Sequence, residues 1–530
     1  MEGYDYVIVG SGTAGSTLAA RLTEDPAIRV LVLECGGADR GFWLKLPVGY
    51  YKSIYDARVS HLYRGQPDSG IADRSMDCPR GRVVGGSSSI NGLIYIRGQH
   101  QDFDQWQALG ADGWSYQDVL PHFRSVETYN GPPSQYRGGQ GPLHISDLKN
   151  ENAACDDWLE AAQAYGLPRN EDFNGESAFG VGRYQLSVRG RWRESAATAF
   201  LHPALSRPNL TLKTRAHVTE LVFEGARAVG LRYLREGELH TVHVDGEVIL
   251  CGGTVQTPQL LQLSGIGPAA LLSRHGIAVR HDAPEVGQNL QDHLQMRTIV
   301  ELSRPGDSLN DHVRNPFSLA KMGLEWLIGQ RGPLTVGAGQ VGGAACTKYA
   351  QNGHPDVQLF VMPLSVDKPG TPLHRFSGFT TSFWQCHPES RGSIAIADTN
   401  PLSDPTITTN YLSAEKDQKV MVEALRMVRE IYGQMAFHQR WKREIIPGAE
   451  HKSDEDILAA IRRMSATVYH LVGTCRMGSD PGAVVDPSLR VNGVEGLRVV
   501  DASVMPRITS ANTNAPTFMI AEKAAAIMRS

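Results

Sequence analysis

Three glycines near the start of the chain have the spacing of a phosphate-binding turn. Gly10, Gly12 and Gly15 form a Gly-x-Gly-x-x-Gly pattern, and Glu34 follows it along the chain. Such glycines permit a tight turn, a close approach of the backbone to a pyrophosphate, and close packing of a helix on a strand. The helix N-terminus attracts phosphate, and an acid in the place of Glu34 accepts hydrogen bonds from ribose hydroxyls. These residues predict a dinucleotide site; the alternative is a glycine turn in an unrelated α/β unit.

The elements around these glycines favour the dinucleotide site. Tyr4–Val9 and Arg29–Leu33 are short apolar runs typical of buried parallel strands, and Thr13–Leu22 has small and apolar residues at helical spacing. An NAD-linked flavoprotein reductase would carry a second Gly-x-Gly-x-x-Gly pattern in a strand-helix-strand unit. This chain has a single such pattern, at Gly10–Gly15. The prediction is therefore FAD, tightly held, without a nicotinamide site.

A second glycine-rich segment, Gly81–Gly92, combines glycines with serines and Asn91. Glycines permit close backbone approach, and the serine and asparagine side chains offer hydrogen-bond donors. The apolar residues Val83, Val84 and Ile90 fit poorly with a flexible surface loop. The composition indicates a loop that wraps a flavin ring or its phosphates.

The chain of 530 residues exceeds one ordinary core, and nucleotide-type motifs lie at its start, near residue 250 and at its end. Alternating segments at Leu210–Glu224, Ala228–Arg235 and Leu239–Val244 indicate an antiparallel meander. We predict an α/β protein with a discontinuous Rossmann-like FAD-binding domain and an α+β substrate domain built on an antiparallel sheet. The predicted FAD-binding parts are residues 1–155, 196–300 and 463–530, and the substrate parts are residues 156–195 and 301–462.

Three long motifs resemble the glucose-methanol-choline (GMC) oxidoreductases. Gly81–Gly92 is similar to the first signature of that family, and Gly253–Gly267 is similar to the second. Tyr469–Gly478, Asp501–Pro506 and Asn512–Thr517 resemble its C-terminal active-site block. The similarity extends in order from residue 4 to about residue 528, so the chain is identified as a member of this family.

The resemblance implies oxidation of an alcohol by hydride transfer to the flavin N5. The catalytic pair of the family corresponds to His470 and Asn514. A hydroxyl proton must leave as the carbon loses hydride, and an imidazole titrates near neutral pH. His470 is therefore expected to act as general base, and Asn514 to hydrogen-bond the developing alkoxide. Tyr469 is expected to cover the flavin.

The resemblance also implies which residues hold FAD. Including the glycines of the first turn, these residues are Gly10, Gly12, Thr13, Ala14, Gly15, Glu34, Val84, Gly86, Asn91, Gly92, Leu93, Ile94, Val218, Tyr469, Asp501, Ala502 and Thr513. Some members bind FAD covalently through a histidine of the glycine-serine loop, where this chain has Ile90. We therefore expect non-covalent FAD. Many members have a proline after the catalytic histidine, and here Leu471 takes that place without changing the catalytic side chain.

On the substrate side, the strand that lines the pocket in the family corresponds to Phe383–Pro388. Trp384 is the predicted wall residue, with plain core packing as the alternative. Val468, a small apolar residue before the Tyr-His pair, is the second predicted pocket residue. No carboxylate occupies a place suited to a quaternary ammonium group, so choline is not the favoured substrate.

The sequence leaves several functions open. We favour a dehydrogenase that oxidises a primary alcohol to an aldehyde and uses an acceptor other than oxygen. The alternatives are an alcohol oxidase that forms hydrogen peroxide and a hydroxynitrile lyase of the same fold, in which FAD is structural. Whether oxygen, a quinone or an artificial dye takes the electrons, and which oligomer forms, stays open.

Composition disfavours several other classes. A net charge of −4 without a basic block argues against nucleic acid and acidic membranes as partners. The seven scattered cysteines contain no Cys-x-x-Cys pair, so neither a metal site nor a disulfide framework is expected. No stretch approaches the roughly 18 apolar residues of a membrane span, and no export signal precedes the first strand. The expected location is the cytoplasm.

Overall fold

A computed structural model describes residues 3–529 of the chain. Its first layer is a parallel five-stranded sheet with the order Leu210–Thr214, Val30–Glu34, Tyr6–Val9, Glu247–Leu250 and Leu497–Val499. The central runs are apolar and mostly buried, as expected of a parallel sheet that is covered on both faces. The sheet takes its strands from the start, the middle and the end of the chain, which confirms a discontinuous Rossmann-like domain.

The helices beside this sheet bring the two ends of the chain together. Helices Thr13–Leu22, Tyr116–Val126 and Asn514–Arg529 share one apolar core with the sheet. The hydroxyl of Thr13 donates a hydrogen bond to Oδ1 of Asn514 at 2.7 Å. The first and the last helix therefore begin side by side, next to the glycine turn.

One expectation about the strands is wrong, because Leu210–Glu224 does not belong to the meander as a whole. Its first part, Leu210–Thr214, pairs in parallel with Val30–Glu34. The meander consists of His217–Glu224, Arg227–Arg235 and Glu238–His243. Leu210–Thr214 is the edge strand of the parallel sheet and only half buried, so it alternates like a strand of an antiparallel sheet.

The second layer is a six-stranded antiparallel sheet, which confirms the α+β substrate domain. Its strands are Val341–Ala345, Val357–Met362, Gly378–Gln385, Leu294–Leu302 and Trp441–Ile446, and Ala466–Thr467 pairs with the start of Leu294–Leu302. Helix Glu415–Gly433 packs its apolar side chains against this sheet, where Phe379 and Phe383 belong to the same core. Gln295, Phe360, Met362 and Trp384 of the sheet instead line a cavity that also borders the first glycine turn.

The domain boundaries stay a prediction. Strand Leu294–Leu302 belongs to the antiparallel sheet, although most of it lies within residues 196–300, which we assigned to the FAD-binding part. The short strand Ala466–Thr467 joins the same sheet from within residues 463–530. The two domains therefore share the segments that carry the site.

The remaining elements are short. The other helices are Phe42–Lys45, Tyr50–Ser53, His100–Ala108, Ala153–Tyr165, His202–Ala204, Gly253–Leu263, Ala269–Arg274, Leu309–His312, Pro316–Leu324, Met435–His438 and Asp454–Met464. The other strands are Ser60–Arg64, Asp77–Gly81, Glu127–Tyr129, Leu143–Asp147, Gly180–Arg183, Gln185–Leu186, Val188–Arg189, Trp192–Arg193, Ile266–Gly267, His281–Asp282, Ser393–Ala395 and Thr406–Thr408. Within residues 3–529, no helix is long and apolar enough to cross a bilayer.

Candidate active site

Two glycine turns meet at the start of the first helix. A Cβ atom on Gly86 would lie 2.7 Å from the Cα atom of Gly12, and one on Gly15 would lie 1.9 Å from the carbonyl oxygen of Gly10. Both positions therefore require glycine, and the backbones of the two loops touch. Among the described residues, no side chain caps helix Thr13–Leu22 at Gly12, so its first N–H groups stay available to an anion. This geometry fits the pyrophosphate of a dinucleotide.

Glu34 is a buried carboxylate at the wall of the same cavity. Its Oε2 accepts hydrogen bonds from the N–H and the hydroxyl of Ser11, at 2.9 and 2.8 Å, and its Oε1 accepts one from the N–H of Gly36 at 2.8 Å. Oε1 also receives the weak thiol donor of Cys35 at 3.6 Å. A ribose hydroxyl is the stronger donor and can take the place of that thiol. The ribose contact of Glu34 stays a prediction.

Asp501 joins the C-terminal segment to the middle of the chain. Its Oδ2 accepts hydrogen bonds from the N–H of Gly253 at 2.8 Å and from the hydroxyl of Thr257 at 2.6 Å, and its Oδ1 accepts one from the N–H of Ser503 at 2.8 Å. Burial raises the pKa of this carboxyl. These bonds fix the backbone of Asp501 and Ala502 at the cavity wall.

Most predicted residues line one continuous cavity. Those that do are Gly10, Gly12, Thr13, Ala14, Glu34, Gly86, Asn91, Gly92, Leu93, Ile94, Tyr469, Asp501, Ala502, Thr513, His470, Asn514, Trp384 and Val468. Gly15 packs the helix on the strand, as expected. The N–H of Val84 donates to the carbonyl of Gly37 at 2.9 Å, and Val218 lines a small neighbouring cavity. Their roles as cofactor residues stay predictions.

His470 is held by a second histidine that the sequence analysis did not single out. Nδ1 of His470 lies 3.0 Å from Nδ1 of His293, and Nε2 of His293 lies 2.8 Å from the carbonyl oxygen of Cys386. A carbonyl only accepts, so Nε2 of His293 carries the proton. Burial lowers the pKa of His293 to about 3, so this ring is neutral and its Nδ1 accepts. His470 therefore donates from Nδ1 and keeps an unprotonated Nε2.

The protonation state of His470 follows from its surroundings. Burial, the neighbouring His293 and the Arg80 guanidinium lower the pKa of His470 well below its ordinary value. The imidazole is therefore neutral around pH 7. Its unprotonated Nε2 lies on the cavity side and accepts a hydrogen bond from the amide nitrogen of Asn512 at 3.1 Å.

Asp292 fixes the backbone of the segment that carries His470. Its carboxylate accepts hydrogen bonds from the N–H of His470 at 2.7 Å and from the hydroxyls of Thr467 and Tyr411, both at 2.5 Å. Between them, Tyr469 has a φ of 68°, a left-handed conformation that costs a non-glycine residue roughly 1–3 kcal/mol. Such a conformation persists only where the surrounding bonds determine it, as they do here.

Asn512, rather than Asn514, contacts His470. The amide nitrogen of Asn512 lies 3.1 Å from Nε2 of His470, whereas Oδ1 of Asn514 accepts the hydroxyl of Thr13 at 2.7 Å. Both asparagines line the cavity. The catalytic role of Asn514 stays a prediction, and Asn512 lies closer to the base.

Three buried polar atoms at the cavity have no partner among residues 3–529. They are Nη2 of Arg80, Nε1 of Trp384 and Oδ1 of Asn512. Unpartnered buried polar groups are rare in folded proteins because each costs about 1–3 kcal/mol. These two donors and one acceptor belong to side chains of the cavity wall, although the atoms themselves are closed off from the open cavity.

The part of the cavity beyond His470 is positively charged. Arg297 and Lys368 line it, and the hydroxyls of Tyr55 and Tyr469 lie 2.9 Å apart there. Arg297 donates to the carbonyls of Val366 and Asp367, and burial lowers its pKa. Within the described chain, the only acidic residues that line this cavity are the two at its cofactor end.

Comparison with known proteins identifies the family. Residues 4–295 and 388–521 match the GMC oxidoreductase family. The chain belongs to the GMC oxidoreductases. It is 40% identical over 532 residues to the alcohol dehydrogenase (acceptor) of Pseudomonas putida, across 99% of this chain and 95% of that protein. It is 41% identical over 538 residues to the mitochondrial choline dehydrogenase of Homo sapiens, across 99% and 90%.

A solved structure agrees over the whole fold. The pyridoxine 4-oxidase from Mesorbium loti matches this GMC oxidoreductase with a TM-score of 0.89 and 31% identity, over 99% of both chains. GMC oxidoreductases depend on FAD, so FAD is the cofactor of this chain. The glycine turns and Glu34 fit that cofactor.

Two residues of the site were missed from the sequence. His293 follows Asp292 directly before an alternating strand, and an Asp-His pair entering a buried strand is a signal that could have been noticed. Asn512 stands two residues before Asn514 in the same Asn-Thr-Asn motif, and spacing alone does not distinguish them. Only the structure shows which asparagine meets the imidazole.

The contact between the two histidines predicts a large difference between two variants. In His293→Leu the Nδ1–H of His470 loses its acceptor, and we expect kcat to fall about 10- to 100-fold, the worth of one buried hydrogen bond. In His293→Gln the side-chain oxygen can accept from His470 while the amide donates to Cys386, so we expect most of kcat to return. Steady-state kinetics measures kcat and KM, and FAD content with the melting temperature controls for folding. Equal losses in both variants at equal stability would contradict the positioning role.

The lowered pKa of His470 predicts the pH profile. A base with a pKa below its ordinary value is fully unprotonated above about pH 6.5, so kcat/KM should be flat from there to about pH 8.5. Activity should fall only in more acidic solution, where Nε2 is protonated. The measurement is kcat/KM for a neutral alcohol at each pH. An acid limb centred at pH 7 or above would show that the base is not held as described.

Proposed function

We propose that this GMC oxidoreductase is an alcohol dehydrogenase that oxidises a primary alcohol to an aldehyde, with His470 as general base. The observation that carries the proposal is the unprotonated Nε2 of His470 at the cavity wall, since His293 takes up the other ring nitrogen. A relative over nearly its full length is the alcohol dehydrogenase (acceptor) of Pseudomonas putida. An acceptor other than oxygen is part of the proposal.

FAD supplies the hydride acceptor when it is bound. The amide nitrogen of Asn512 donates to Nε2 of His470 in this structure. When an alcohol binds, this amide turns to the substrate oxygen, and Nε2 of His470 takes the hydroxyl proton. The Arg80 guanidinium, whose positive charge acts on His470, stabilises negative charge on the substrate oxygen. Trp384 and Phe360, with ring centroids 5.8 Å apart, form an apolar wall that excludes water.

The cofactor is proposed to bind without a covalent bond. Ile90 lies at the cavity, and its hydrocarbon side chain cannot attack the flavin. The glycine turns, Asp501 and the first helix hold the cofactor by backbone contacts. Denaturation in acid should then release all of the yellow colour from the precipitated protein.

Two other functions stay as alternatives. An alcohol oxidase is favoured by the structural likeness to a pyridoxine 4-oxidase. A hydroxynitrile lyase of the same fold would use the base without a redox step. None of the described contacts in the cavity points to a nitrile as the substrate. The lyase differs from the proposal because its flavin is not bleached by an alcohol. The oxidase differs because oxygen quickly restores the colour of its bleached flavin.

Anaerobic mixing with alcohols tests the proposal. A panel of aliphatic, aromatic and polyol alcohols should include substrates that bleach the yellow flavin in a stopped-flow instrument. The flavin loses its colour when it receives a hydride, and without oxygen the hydride comes from the CH–OH carbon of the alcohol that is oxidised. His470→Ala should retain FAD and slow this bleaching by about 10²–10⁴-fold, the usual worth of general base catalysis. Asn512→Ala should slow it more than Asn514→Ala does.

The outcome of this experiment separates the alternatives. If no alcohol bleaches the flavin but a hydroxynitrile is cleaved, the lyase is correct. Fast recolouring when oxygen is admitted, with hydrogen peroxide formed, would favour the oxidase. Slow recolouring by oxygen and fast recolouring by a quinone supports the dehydrogenase.

The positively charged part of the cavity beyond His470, the positive chamber, predicts discrimination against choline, although choline dehydrogenases are among the relatives. A quaternary ammonium group would lie near Arg297 and Lys368, and no carboxylate lines this part of the cavity within the described chain. We expect kcat/KM for choline to be at least about tenfold below that for 3,3-dimethylbutan-1-ol, its neutral isostere, since an unbalanced like charge in a desolvated site costs more than about 1.4 kcal/mol. A higher kcat/KM for choline would show that the charge of the chamber does not govern selection.

A further inference from the structure

Large apolar side chains gather on one part of the surface. Phe317 is 85% exposed and Ile328 is 73% exposed. We define the apolar surface by its six members, Phe42, Trp43, Phe317, Leu324, Leu327 and Ile328, all of which are exposed. The ring of Phe42 lies 6.3 Å from that of Trp326, so the two short segments that contribute them are in contact. Monomeric proteins rarely expose a contiguous apolar area of this kind unless it has a partner.

The helix in this surface exposes apolar side chains, unlike an ordinary solvent-facing helix. In Pro316–Leu324, residues four and seven positions apart share a face, so Phe317, Lys321 and Leu324 point the same way. All three are exposed, whereas Met322 on another side is buried. A surface helix normally turns its polar residues to water. This one turns apolar residues and a lysine outward, the pattern of helices that lie in a bilayer interface.

A basic groove borders the apolar surface. It is lined by the cations Arg40, Lys45, Arg189 and Arg191, and it reaches Gln330 directly after the apolar segment Glu325–Gly329. The Arg191 guanidinium lies 5.3 Å from the centroid of Trp326.

The acids of this groove are already engaged. Asp39 lies 3.1 Å from Nε2 of His202, and Glu194 lies 2.9 Å from Nδ1 of His144 and 4.0 Å from Nη1 of Arg189. The cations Arg40, Lys45, Arg189 and Arg191 outnumber these two acids, so the groove has a net positive charge beside the exposed apolar side chains. The net charge of −4 for the whole chain does not reveal this local cluster.

An outer groove leads from the apolar surface to the catalytic cavity. The groove has a volume of about 850 Å³, and Trp43, Ser318, Lys321 and Met322 line it. Four residues, Tyr50, Tyr51, Met362 and Leu364, line both the outer groove and the catalytic cavity. The outer groove and the catalytic cavity therefore adjoin each other at these four residues.

We propose that the apolar surface and the basic groove together dock this protein on a bilayer of anionic phospholipids. Apolar side chains enter the acyl region, and the cations meet the phosphate groups, which is the complementarity that such a bilayer offers. The outer groove then opens towards the lipid, so a lipid-dissolved alcohol reaches His470 without crossing water. This last step rests on the proposed alcohol oxidation, whereas the docking itself does not.

Vesicle sedimentation with the purified holoenzyme tests the docking. We expect the protein to sediment with vesicles of phosphatidylcholine and phosphatidylglycerol and less with phosphatidylcholine alone, and added salt should weaken the binding. Phe317→Ser combined with Leu324→Ser and Ile328→Ser should lower the vesicle affinity at least about tenfold. Lys45→Gln with Lys321→Gln should lower it for anionic vesicles only.

The matched control changes three exposed apolar residues elsewhere, Leu239→Ser, Leu402→Ser and Met435→Ser, and should bind vesicles like the original protein. Absence of binding to anionic vesicles, or equal binding by both triple variants, overturns the proposal. Light scattering tests whether a second copy of the chain covers the apolar surface instead. A dimer that is lost only in the variant with serine at residues 317, 324 and 328, without vesicle binding by the original protein, would show that the partner is a second copy.

The substrate route has a separate readout. The ratio of kcat/KM for a long-chain alcohol in anionic vesicles to that for a short water-soluble alcohol should fall at least about tenfold in the first triple variant. An unchanged ratio overturns the route, even where the docking holds. If no alcohol is oxidised at all, the proposed function fails, and the sedimentation result still decides the docking.

Discussion

The Nδ1–H of His470 and the lone pair of His293 share a buried hydrogen bond, and the reactive face of the site depends on it. His293 lies directly before the strand Leu294–Leu302 in the middle of the antiparallel sheet, and its other nitrogen donates to Cys386 after a neighbouring strand. The carbonyl of Cys386 therefore determines the proton position on His293, which determines that on His470. In this way the substrate domain sets the protonation of the base as well as the walls of the pocket.

The other constraint is that the chain must bring distant segments to one place. The hydrogen bond from Thr13 to Asn514 joins its first and last helices, and Asp501 binds Gly253 and Thr257. The glycine turns can approach one another because neither carries a Cβ atom at the contact. The cofactor cradle and the catalytic segment are thus built from the same few bonds, so a defect in one is expected to disturb the other.

The sequence predicted the parts of this arrangement that depend on local chemistry. The glycine turn, helix Thr13–Leu22, the buried strands and the C-terminal block all have signatures carried by neighbouring residues. The contact of His470 with His293 joins residues 177 positions apart, and no periodicity or spacing encodes it. The choice between Asn512 and Asn514 depends on how the last helix begins, and the strand Leu210–Thr214 was misassigned because an edge strand alternates in either kind of sheet. Net charge likewise gave no indication of the positive chamber or the basic groove, since it averages over positions.

The proposed base chemistry depends on the position of two protons, and neutron diffraction from a deuterium-exchanged crystal of the FAD-bound protein locates them directly. We expect deuterium on Nε2 of His293 and on Nδ1 of His470, with none on Nε2 of His470. Deuterium on Nε2 of His470 at neutral pH would contradict it, because the base would then have no free lone pair towards the substrate.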